Sequence, residues 1–213
     1  MQIEFVLCEN CYKLNIYGNK MKLRLISISL LIIFSFSLFS QERTVGLMKH
    51  DERAFEGYTL FAPLSSKNTY LIDMEGNLIH KWEGEYKPGH SVYLLENGNL
   101  LKTCVLDNPN FNTGGSGGMI RIIDWNGNLL WEYAYSTENY CQHHDCAILP
   151  NGNIIFQAWE RIDRAEALAA GRRANLLRDD MIWADHIVEV NPHNEIVWEW
   201  HVWDHIVQDE DKF

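Results

Sequence analysis

The chain has 213 residues, an apolar fraction of 46% and a formal net charge of -11. That much apolar content supplies a sizeable core and excludes a disordered tail. The acidic balance, with no Lys/Arg cluster beyond Arg172 and Arg173, excludes a phosphate-backbone partner, so no nucleic acid is expected.

Residues 1–20 read as an upstream over-extension of the reading frame. Lys22 and Arg24 precede an apolar run from Leu25 to Phe39, followed by Ser40, Gln41 and Glu42. This is the layout of a secretory signal over 21–40 that begins at Met21, and it predicts a periplasmic or secreted protein. The run is shorter than the roughly 20 residues that cross a bilayer, so contact with a membrane is expected only through an uncleaved signal segment. The pair Cys8 and Cys11 has no second pair at zinc-site spacing, and no metal is expected there. Cys104, Cys141 and Cys146 leave two readings open, a small loop closed between Cys141 and Cys146 or buried free thiols.

From residue 57 onward the sequence repeats itself. "HSVYLLENGNLLKTC" from His90 and "HDCAILPNGNIIFQAW" from His144 align without a gap, with their histidines and their turn glycines Gly98 and Gly152 each 54 positions apart. A second unit occurs three times, as "TYLIDMEGNLIHKWE" from Thr69, "MIRIIDWNGNLLWEY" from Met119 and "HIVEVNPHNEIVWEW" from His186. Each is strand, turn, strand, with Gly/Asn chemistry at Glu75-Gly76-Asn77, Asn126-Gly127-Asn128 and Pro192-His193-Asn194.

Alternating hairpins that recur roughly every 50 residues predict an all-β chain, a β-propeller of four-stranded antiparallel blades over 57–213. His90 and His144 are expected to open the inner strand, Asn99 and Asn153 the next, Met119 and His186 the third, and Leu129 and Glu195 the outer one. Trp82, Trp131 and Trp198 are expected to pack between blades. "YTLFAP" from Tyr58 starts the first unit with no inner strand before it. The repeats thus amount to an incomplete propeller of two to three blades, which predicts a truncated product or one half of a split gene, with C-terminal blades needed to close the ring.

Antiparallel order puts the tight turns at one end of each blade. His90, His143, His144, His186, His201 and His205 fall at the other end, with the loop from Cys104 to Gly118 and a helical insertion near 161–180. His144 is the candidate catalytic residue, and His90 and His143 are candidate substrate-binding residues. Arg172, Arg173 or Arg178 could meet an anion but read as a solvated face. "NTGGSGGM" from Asn112 lacks the helix of a phosphate cradle and reads as a flexible connector. "HHD" from His143 is too short to fix a metal, so neither metal nor cofactor is expected.

At "HHDCAILPNGNIIFQAW" and "ADHIVEVNPHNEIVWEWHVWDHIVQD" the sequence resembles the arylsulfate sulfotransferase family, over roughly Gly57 to Asp209. The resemblance implies a six-bladed exported propeller that moves a sulfuryl group from a phenolic sulfate to a phenol acceptor through a sulfohistidine. It implies that His144 contacts the sulfuryl group or the leaving oxygen, and that the modified histidine lies beyond Phe213. It also leads one to expect an N-terminal sandwich domain, for which no counterpart is read here, and little activity from this part alone. The other readings are a non-catalytic exported propeller that binds ligands or partners, and a quinone-cofactor dehydrogenase, whose acidic calcium cluster is not seen.

Overall fold

The structure, a computed structural model, describes residues 49, 51–177 and 179–206. The expectations for residues 1–20, the signal at 21–40, Cys8, Cys11 and Arg178 lie outside the described residues. Alternating apolar arms joined by tight turns produce eleven strands in three antiparallel sheets. The first sheet contains β1 (Thr59–Phe61), β2 (Thr69–Ile72) and β3 (Leu78–Trp82). The second contains β4 (Pro88–Leu94), β5 (Leu100–Val105), β6 (Gly118–Ile123) and β7 (Leu129–Ala134). The third contains β8 (Tyr140–Ile148), β9 (Ile154–Asp163), β10 (Met181–Val190) and β11 (Ile196–His201). Within each sheet the strands lie in chain order, as a blade requires.

Turn chemistry fixes the hairpins. Asp73 Oδ1 accepts from the N–H groups of Glu75 and Asn77, and Asp124 Oδ1 accepts from those of Asn126 and Asn128. Asn191 Oδ1 does the same for His193 and Glu195. The left-handed position is glycine in the first two turns, with φ of 79° at Gly76 and 89° at Gly127, and Asn194 takes it in the third with φ 66°. Asn tolerates that conformation because its short side chain bonds locally.

The sheets pack on one another through strands buried on both faces. In β5, Leu100 joins Leu71, Trp82 and Ile123 against the first sheet, while its neighbour Leu101 joins Ile120, Phe156 and Val188 against the third. Strand alternation places successive side chains on opposite faces, so one run serves two cores. A third cluster joins Ile162, Ala167, Leu177 and Ala184, and packs the short helix α1 (Arg164–Ala169) onto the end of the third sheet.

Several boundaries differ from the sequence reading. β4 begins at Pro88 and β8 at Tyr140, so His90 and His144 lie within the first strands rather than opening them. β9 continues to Asp163 and β10 starts at Met181, which shortens the helical insertion and leaves His186 in mid-strand. The reason is that β9 and β10 keep pairing from Val190↔Ile154 back to Met181↔Asp163. Trp82 is buried and Trp131 half-buried, as packing between sheets requires, but Trp198 is 46% exposed because no further sheet covers β11 among the described residues. Cys104, Cys141 and Cys146 are buried free thiols, and burial pushes the Cys146 thiol up to about 12.

Phe156 is 2% exposed at the centre of the core between the second and third sheets. Phe156→Ala is expected to destabilise the chain by about 3–5 kcal/mol, read as a lowered midpoint in urea unfolding.

Candidate functional site

The gapless repeat has a structural counterpart. Between Pro88↔Cys104 and Val92↔Lys102, β4 carries three residues against one of β5. Between Gln142↔Ala158 and Cys146↔Phe156, β8 carries three against one of β9, at positions each 54 further on. These are equivalent β-bulges, which re-aim a side chain out of the ladder. His90 and His144 are the middle residues of the two bulges, and their ring centroids lie 5.5 Å apart. The structure therefore brings both sequence-predicted imidazoles to one place.

His144 adopts φ 52°, left-handed backbone that a non-glycine residue occupies only when its surroundings hold it there. The holding contact comes from Gly115, whose carbonyl accepts the His144 N–H at 2.9 Å. The Gly115 N–H in turn donates to His90 Nε2 at 3.1 Å. One residue thus grips both histidines. Gly115 has φ 97°, and a Cβ there would stand 2.2 Å from His144 Cε1, so only glycine fits. Next to it, Gly117 donates to the Gln142 carbonyl and Gly118 to Gln142 Oε1 at 3.0 Å, while Gln142 Nε2 donates to the His143 carbonyl. The segment from Asn112, read from sequence as a flexible connector, is a bonded staple between the two sheets.

His143 is 5% exposed and stacks on Trp159, with centroids 4.2 Å apart. Its Nε2 lies 3.0 Å from Asp185 Oδ1, and its Nδ1 lies 2.8 Å from His144 Nδ1. A carboxylate only accepts, so His143 Nε2 carries a hydrogen. Burial lowers the His143 pKa, Asp185 raises it in part, and His144 lowers it again. His143 is therefore neutral near neutral pH, its Nδ1 is an acceptor, and His144 Nδ1–H is the donor. The lone pair of His144 then resides on Nε2, on an exposed ring. The order carboxylate, imidazole, imidazole orients the last ring and stabilises the positive charge when that ring takes up a proton.

Beside these rings lies a cavity of about 650 Å³, lined by Lys87, His90, Phe111, Asn112, Gly115 and Ser116 among others. It combines the exposed ammonium of Lys87 with the loop backbone at residues 112–116. A second groove of about 590 Å³, lined mainly by Leu94, Leu95, Leu101, Ile148 and Phe156, carries no imidazole.

Asp145 turns away from its neighbours and accepts from the Tyr93 hydroxyl at 2.8 Å, so "HHD" is not one ligand cluster. His186 and His201 form a separate group with Glu160, and His205 stacks on Trp200. His193 sits at the opposite turn, as read from sequence. Arg172 is half-buried and Arg173 exposed. Asp185, Gly115, Trp159 and Lys87 were missed as site residues. Asp185 adjoins His186 in sequence, but strand alternation turns it to the other face, towards His143.

Gly115→Ala is expected to destabilise the chain by about 1–3 kcal/mol through forced φ and ring displacement, read by urea unfolding. A second expectation concerns pH. The folded chain holds fewer protons at His143 than the unfolded chain does, so its contribution to stability is lost as pH falls below the ordinary imidazole value of 6.5. Urea unfolding from about pH 7.5 down to about pH 5 should show stability falling, with a shallower fall in His143→Gln.

A search of curated proteins finds no match. Among solved structures, the chain is similar to a protein of unknown function from Bacteroides caccae, at 16% identity and a TM-score of 0.43, covering 75% of this chain and 50% of that one. The chain thus spans about half the length of that structure. The family model described as Arylsulfotransferase (ASST) matches residues 91–212, more than half of the chain, including the bulge of β8, Asp185 and all of the third sheet. On that match the chain belongs to the arylsulfotransferase (ASST) family.

Proposed function

We propose that the chain supplies one wall of a sulfuryl-transfer site that takes a phenolic sulfate as donor and a phenol as acceptor. The observation that carries this reading is the Asp185, His143, His144 series, which leaves a proton-free Nε2 on a ring beside His90, itself in the lining of the cavity that holds Lys87. Lys87 offsets the charge of the sulfate oxygens.

In this reading His144 Nε2 takes up a proton from solvent before the donor is cleaved; the donor's S–O bond then breaks as its sulfur bonds to a histidine nucleophile, and His144 hands that proton to the departing phenolate oxygen. The acceptor hydroxyl then attacks sulfur, the S–N bond breaks, and His144 Nε2 takes the acceptor's proton. With that proton returned to solvent His144 ends each cycle as it began, and Asp185 offsets the charge while the proton is held. In this reading the nucleophile lies on a later sheet than those described. His90, held by Gly115, contacts the sulfuryl oxygens. The three sheets are then consecutive blades of an exported propeller whose ring is closed by further blades.

The test is phenol-dependent release of 4-nitrophenolate from 4-nitrophenyl sulfate by the full protein, the chain together with whatever blades complete it. His144→Ala is expected to lower turnover by at least about 100-fold, and Asp185→Asn by about 10-fold or more. Unchanged turnover in His144→Ala removes the assigned role. Saturable binding of the sulfate without turnover would favour a binding module instead.

A further inference from the structure

A second group of ionisable side chains lies apart from the relay, on the three outer strands of the third sheet. Glu160 projects from β9, His186 from β10 and His201 from β11. His186 pairs directly with His201 across one ladder, and Glu160 lies two residues from Ala158, the partner of His186 across the other. The period-2 alternation of strands therefore places all three on one face. Each offers a ligand atom within 4.8 Å of the others.

Two of these atoms are buried with no hydrogen-bond partner among the described residues, His186 Nδ1 and Glu160 Oε1. His186 is 1% exposed. An unpartnered imidazole nitrogen and an unpartnered carboxylate oxygen buried in the same cluster are costly unless something else satisfies both. The remaining atoms are already committed. His186 Nε2 lies 3.0 Å from the Tyr135 hydroxyl, and His201 Nδ1 lies 2.8 Å from Glu160 Oε2.

We propose that Glu160, His186 and His201 form a binding site for a borderline divalent cation such as Zn²⁺, with two imidazoles and one carboxylate as ligands. Two imidazoles and a carboxylate match the donor preference of zinc, and three protein ligands leave a position open to water. Tyr135 acts from behind the site. With the Nε2–H of His186 donated to the Tyr135 oxygen, the lone pair lies on Nδ1, the atom that lacks a partner.

Tetrahedral zinc with bonds of about 2.0–2.1 Å would draw its ligands to about 3.4 Å from one another. Side-chain rotations accomplish that, and the half-exposed His201 gives the ion a way in. The loaded ion would clamp β9, β10 and β11 together, which makes it a stabilising centre rather than part of the sulfuryl chemistry.

The test uses the full chain, stripped with a chelator, dialysed and titrated with Zn²⁺ in competition with a chromophoric chelator. One zinc should bind per chain, and Co²⁺ should give the visible absorption of a four- or five-coordinate ion. Saturating Zn²⁺ should raise the melting temperature by roughly 5–10 °C. Glu160→Gln and His201→Gln should each weaken binding by more than about 10-fold, and Tyr135→Phe by about 10-fold, with folding checked by circular dichroism. His144→Ala should leave the affinity unchanged. Absence of stoichiometric zinc, or zinc that survives both Glu160→Gln and His201→Gln but is lost in His144→Ala, overturns the assignment.

Discussion

The extra residue pair that β4 and β8 each carry against their neighbours decides where the imidazoles go. In a regular ladder His90 and His144 would alternate with their neighbours between two packed faces, where an imidazole would meet apolar side chains. The three-against-one register turns each of them out of the sheet, and the offset of 54 makes the two turns equivalent. The surrounding packing, from Leu101 and Phe156 to Ala158, holds the strands firmly enough for that irregularity to persist.

The fold was largely legible because its signals are local. Hairpin turns at Asp73, Asp124 and Asn191 announce themselves by residue type, and the double alternation of Leu100 and Leu101 follows from simple strand periodicity. The three antiparallel sheets agree with the expected blades, while the described residues show no closed ring. Boundaries shifted where pairing partners extended strands past the last strong β-former, as β9 and β10 do to Asp163 and Met181.

The site was legible only in part. Repetition pointed to His90 and His144, since two equal residues at equal offsets survive in a sequence as a visible pattern. Asp185 left no such trace, because its partner His143 lies 42 residues away on a non-adjacent strand. The glycine-rich run misled for a physical reason. Glycine marks both loose chain and close approach, and only the position of a neighbouring ring, here the His144 imidazole against Gly115, separates the two. Separating the two histidine groups likewise needs the sheet, since His143 and His186 lie on different strands and serve different carboxylates.

Gly115 belongs to the connection between β5 and β6, and it holds the His90 ring on β4 and the His144 backbone N–H on β8. Neither sheet alone can therefore assemble the pair. Any hinge-like parting of the second sheet from the third would break the Gly115–His144 hydrogen bond and free the His144 backbone to leave its left-handed state.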